Sequence, residues 1–230
     1  MQQSAKAVEL KHHKFFVWPY FWRWAGVAAF LLSFPISLIS PLWISWENQI
    51  LENMQVFVLA VGAAFCIRLV LRSSSMHRLF WLSILPLWCI LIAREVSWGA
   101  VFLEPIAASE LGPQFSSSQL SYYPARTPLV FLIIIASCVG LYFSKPWHSL
   151  CILLQSRKLP FFDFLGFFVS MIASAAAEHH LGLSLNWWSG HAQVIEETME
   201  LAAYLFLVSG QIVLWRGACS NTPVAPQAGI

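Results

Sequence analysis

The chain has 230 residues, of which 58% are hydrophobic and only 10% charged, and its net charge is +2. Soluble domains carry about 25% charged residues, so this composition and a mean hydropathy of +0.66 exclude an ordinary soluble globular domain. No run of basic residues interleaved with aromatics marks a nucleic-acid surface, so membrane lipids are the partners that composition implies and protein partners stay open.

Apolar segments of membrane-spanning length predict an all-α, polytopic bundle of six transmembrane helices in a single domain. In chain order the expected spans are 24–46, 52–71, 79–99, 128–144, 160–181 and 194–215. Lys6, Lys11 and Lys14 precede the first span as they would a signal peptide. The apolar stretch is too long for one, and no small-residue cleavage site follows it. Pro35 and Pro41 are expected to kink this span. The connection 100–127 holds Pro105, Pro113, Pro124 and the run Ser116–Ser118, and it is expected to be an outer loop without regular structure, such as a lid. The tail 217–230 is polar and expected to be disordered. Cys66, Cys89, Cys138, Cys151 and Cys219 form no CxxC pair and read as free thiols within spans or on the inner side.

Charge sets the orientation. With both termini cytoplasmic, every Lys and Arg except Arg94 and Arg126 lies on the inner side. Every acid except Glu9 and Asp163 lies at an outer end or in an outer loop. This pattern predicts a multi-pass protein of a bacterial inner membrane.

Acids cost roughly 2.5–3.5 kcal/mol each at the centre of a membrane helix even on lenient scales. The stretch His191–Glu200 nevertheless opens the last span with Glu196, Glu197 and Glu200. At helical spacing Gln193, Glu197, Glu200 and Tyr204 share one face. The topology brings Glu52, Glu95, Glu178, His179 and His180 to the same depth, from three other spans. Carboxyl groups gathered at low dielectric need a countercharge, protons or a cation.

Three readings follow. In the first, Glu52, Glu95, Glu178, His179, His180, Glu197 and Glu200 supply the ligands of a divalent metal such as zinc. Glu95 and Glu197 then act in hydrolysis of a lipid or amphiphile, with Trp98 and Tyr204 lining the substrate. In the second, the same carboxyls bind protons or cations for a transport or accessory protein. In the third, Arg94 and the acids form an internal ion-pair network in a structural subunit. His179 and His180 are about 100° apart on a helix, so at most one is expected to face the site. His191 is expected to cap or solvate the last span, and Ser170 and Ser174 to serve close helix packing. Glu196–Glu197 lacks the Arg four residues on that glutamate-type intramembrane proteases carry, and Trp187–His191 lacks the remaining pattern of an intramembrane serine protease.

The segment Ala93–Gly99 holds Glu95-Val96-Ser97-Trp98-Gly99, and with Glu52-Asn53 and the Glu196-Glu197-x-x-Glu200 opening of the last span it resembles a widespread group of small bacterial inner-membrane proteins with an E-x-S-W-G signature. The resemblance covers spans two, three and six, and that group carries no established activity to transfer. Members often carry a Glu where this chain has Arg94, which puts a countercharge into the site and favours an internal ion pair. Gly99 is expected to let the third helix stop.

Overall fold

The computed structural model describes residues 19–73, 75–109, 112–145, 154, 159–178 and 191–220. The architecture is an all-α helix bundle. Among the described residues the full helices are α1 (Pro19–Ile39), α2 (Ile50–Arg72), α3 (Ser75–Glu95), α4 (Tyr123–Phe143), α5 (Phe161–Ala177) and α6 (His191–Ser220). Five of them are long and apolar enough to cross a membrane, and α5, at 17 residues, is shorter. The chain is therefore read as a membrane protein.

Prolines mark the helix limits. Pro19 opens α1, where a missing N–H costs nothing. Pro35 sits inside α1, but Pro41 does not kink it: the helix has ended at Ile39, and Pro41 caps a short 3-10 turn, Leu42–Ser45. Pro124 lies in the first turn of α4, so that helix starts at Tyr123, well before the expected 128. At its far end α6 runs to Ser220, into the segment expected to be disordered. The rest of that tail, residues 221–230, lies outside the described residues.

The central post is α6. Of its apolar window 72% is buried, against 6% for α4. It packs on α1, α5 and α2, while α2 continues the layer to α3 and α3 to α4. Leu59, Trp81, Trp88, Tyr204, Val208 and Ile212 fill the core. Small residues set the distances between helices, as in membrane bundles generally. A Cβ at Gly62 of α2 would stand 2.4 Å from the Trp88 ring of α3, and one at Gly166 of α5 would stand 2.8 Å from Phe206 of α6.

At the end of the bundle where α1 and α5 begin, Arg23 grips Asp163 with two bonds, Nε to Oδ1 at 2.9 Å and a terminal nitrogen to Oδ2 at 2.6 Å. Asp163 is fully buried there. The Arg23 guanidinium lies over the Tyr20 and Phe162 rings, at 5.8 and 5.4 Å. The Ser209 hydroxyl donates to the Pro19 carbonyl at 3.0 Å, tying α6 to the start of α1. Among the described residues Cys66, Cys89 and Cys138 are free thiols.

The connection between α3 and α4 is built rather than loose. A two-stranded antiparallel hairpin, β1 (Ala107–Ser109) and β2 (Gly112–Gln114), occupies its middle. Gly112 has φ 97°, and a Cβ there would meet Trp46 at 2.4 Å. Beside that contact the Phe115 N–H donates to Glu47 Oε2 at 2.6 Å. The segment expected to be a structureless loop is therefore docked on the turn that leads into α2.

Candidate functional site

The acids do converge. The C-terminus of α3, the N-terminal half of α6 and the first turns of α2 meet at one end of the bundle. Arg94, at the end of α3, reaches across to α6 and donates to Glu200 Oε1 at 2.6 Å. Its Nε stands 3.9 Å from Glu95 Oε1. The Tyr204 hydroxyl, fully buried one turn below Glu200, donates to that same Glu95 oxygen at 2.6 Å. The Ser174 hydroxyl of α5 makes a long bond of 3.4 Å to Glu200 Oε1. Glu95 and Glu200 are each only 6% exposed, whereas the Arg94 side chain is 49% exposed and forms the rim.

A second pair lies beside the first. Gln55 of α2 is fully buried. Its Nε2 donates twice to one residue of α6, to the Glu197 carbonyl and to Glu197 Oε2, both at 2.8 Å. The backbone carbonyl can accept only from an N–H, so the amide orientation is determined. Among the described residues Gln55 Oε1 is then left buried with no hydrogen-bond donor.

The turn after α3 explains how Arg94 and Glu95 are presented. Ser97, Trp98 and Gly99 take φ values of 45°, 60° and 96° in succession. Gly accepts this region freely, but Ser and Trp do not. The Gly99 N–H closes the turn on the Val96 carbonyl at 2.7 Å. The Trp98 carbonyl accepts from the Tyr122 hydroxyl, and the Arg126 guanidinium lies over both the Trp98 and Tyr123 rings, at 5.8 and 5.0 Å. The Ser-Trp-Gly segment therefore stops α3 abruptly and ties its end to the start of α4.

The remaining expected residues divide. Glu52 is half-buried and accepts from the Asn48 backbone N–H, in a turn where Asn48 has φ 61°. Asn53 closes the same turn from the other side, donating to the Asn48 and Gln49 carbonyls at 3.1 and 2.8 Å. Glu52 and Asn53 thus hold the entry to α2. Glu178 is exposed at the C-terminal cap of α5. His191 Nδ1 donates to the Ser37 carbonyl, which joins the start of α6 to α1. His179 and His180 lie outside the described residues.

Among the described residues no three His, Cys, Asp or Glu side chains stand where they could hold one metal ion. The physical reason lies in the partners. Arg94 and Tyr204 occupy the inward oxygens of Glu200 and Glu95, Gln55 occupies that of Glu197, and Glu52 is bonded to backbone. Trp98 is tied to the 117–126 segment rather than to the acids. Gln55 is the residue that sequence reasoning missed. Its signal was present, because it is the one amide within the otherwise apolar run from Met54 to Ile67, about one turn beyond Glu52. Comparison of the chain with protein-family models, with curated proteins and with solved structures finds no match.

Proposed function

We propose that this chain is a multi-pass protein of a bacterial inner membrane, with both termini cytoplasmic and its carboxyl–arginine centre toward the outer face. In this reading the centre exchanges protons, or a cation in their place, as part of a coupled transport or accessory function. The observation that carries it is an imbalance of charge. Glu95, Glu197 and Glu200 come together from two helices, and among the described residues one guanidinium serves them. Arg94 and Tyr204 satisfy Glu95 and Glu200. Among the described residues the Glu197 carboxyl is met only by a neutral amide, that of Gln55. A carboxyl group placed so must take its balance from a proton or a mobile cation. The rim position of Arg94 gives such an exchange an entrance.

The reading is tested by electrical recording from proteoliposomes adsorbed on a solid support. A step in pH should drive a transient charge displacement in the wild-type protein. Glu197→Gln and Glu200→Gln should each reduce it, and Glu52→Gln, whose carboxyl only holds a turn, should not. A wild-type protein that is electrically indistinguishable from empty liposomes would overturn the proposal. So would near-stoichiometric zinc, iron or manganese in the purified protein, which would restore the hydrolytic metal site with His179 or His180 as ligand.

A further inference from the structure

Helices α1 and α2 both pack on α6 but scarcely touch each other. The space between them is a groove of about 680 Å³. Ala25, Ala29 and Ile36 wall it on one side, Leu51 on the other, and Leu201 and Leu205 of α6 form its floor. The one hydroxyl on its surface, that of Thr198, is already donating to the Val194 carbonyl at 2.7 Å. Apart from the indole of the buried Trp22, the groove's lining is almost wholly apolar. At its mouth Phe21, Met54 and Phe57 are exposed, so in a bilayer it opens sideways to the hydrocarbon.

Two features select the occupant. The first is size. A membrane-spanning helix about 10 Å across and 30 Å long displaces on the order of 2,000 Å³. The groove holds a fraction of that, while it falls within the roughly 300–1,000 Å³ of small-molecule sites. The second is position. The floor reaches Thr198, next to Glu197, and the α2 wall holds Leu51 and Val58, about one helical turn to either side of Gln55. The groove thus ends beside the polar centre. The centre beside that end is rich in carboxyl groups, and among the described residues its buried Gln55 Oε1 lacks a donor. Such an end repels an anionic head group and suits one that brings N–H or O–H donors.

We propose that the α1–α2 groove binds the hydrocarbon chain of an amphiphile drawn from the bilayer, one whose head group is non-anionic, carries hydrogen-bond donors and comes to rest at the Leu51–Thr198 end, beside Glu197. This binding does not depend on proton exchange at the carboxyl centre. The proposal is tested with the full chain in phosphatidylcholine liposomes and a palmitoyl ethanolamide probe bearing a mid-chain diazirine. After illumination, labelled residues are mapped by mass spectrometry. Labelling in 25–36 and 201–205 should exceed that at Phe131 and Leu132, on the exposed face of α4, by roughly tenfold. Ala29→Phe, which fills the groove, should remove the excess and leave the α4 labelling unchanged. Ala28→Leu serves the same purpose should Ala29→Phe fail to fold. A phosphatidylglycerol probe with the same diazirine chain should label the groove several-fold less. Equal labelling of groove and α4 face would overturn the proposal, as would equal labelling by the anionic probe. A disulfide joining two copies of an Ala28→Cys variant would also overturn it, by giving the groove to a second copy of the chain.

Discussion

The Arg94–Glu200 pair makes a prediction about asymmetry. Glu200 is buried, with a side chain only 8% exposed, while Arg94 is 49% exposed. Removing the arginine leaves a buried carboxylate held by one long bond from Ser174, with Glu95 and Glu197 close by. Breaking a fully buried pair from one side costs about 3–5 kcal/mol, and an exposed pair is worth about 0–1 kcal/mol. With one partner in each environment, Arg94→Gln should destabilise the bundle by roughly 2–3 kcal/mol. Glu200→Gln should cost less than about 1 kcal/mol, because the guanidinium it frees can turn to water and one acid leaves a crowded site. The double variant should lie close to Glu200→Gln alone, which gives a coupling of roughly 2–3 kcal/mol. The assay is reversible unfolding in mixed micelles, following the near-ultraviolet signal of the buried tryptophans. If Glu200→Gln costs as much as Arg94→Gln, Arg94 is not the neutralising charge of a buried acid and the electrostatic account of the site fails.

The same unfolding assay checks three further outcomes. Gly62→Ala should cost about 1–3 kcal/mol through the clash with the Trp88 ring, and Trp88→Phe should recover part of that loss in the double variant, since the clashing atoms belong to the outer ring of the indole. Arg23→Gln should cost roughly 3–5 kcal/mol by stranding the fully buried Asp163, and a Lys at position 23 should recover less than the wild type because it cannot reproduce the two-pronged grip. Ser97→Gly should stabilise the protein by about 1 kcal/mol by relieving its left-handed backbone, and a measured loss of stability would mean that the Ser97 side chain is needed in that turn.

The bundle was legible because its causes are local. Apolar length marks each span, and the alternation of basic and acidic ends pairs them. Charge topology also placed Glu95, Glu197 and Glu200 at one depth, and Tyr204 followed from helical spacing. Partner choice was not legible, because it depends on side-chain reach between helices whose rotation the sequence does not state. Glu52 looks equivalent to Glu95 as an acid at a helix end. Yet Glu52 lies in a first turn, where unsatisfied backbone N–H groups compete for it, whereas Glu95 lies in a last turn that offers carbonyls. The 100–127 connection was misread for a related reason. Its prolines and serines look unstructured one at a time, while its order comes from Trp46 and Glu47, more than sixty residues away in the chain.

The motif residues that stand out most in the sequence are largely scaffolding, and what they scaffold is less conspicuous. Glu52 and Asn53 close the turn before α2 and so set the rotation at which Gln55 enters the core. Ser97, Trp98 and Gly99 end α3 in three consecutive left-handed residues, which fixes where Arg94 and Glu95 stop. His191 ties the start of α6 to α1, and Glu197 and Glu200 of the turns that follow meet Gln55 and Arg94 of neighbouring helices. Each helix end therefore pairs a backbone device with a side chain it aims. Two left-handed non-glycine residues in succession cost on the order of 2 kcal/mol or more. A chain that needed only to end a helix would do so with Gly99 alone. The extra cost is accounted for if the last turn of α3 must hold a guanidinium within 2.6 Å of a buried carboxylate on another helix.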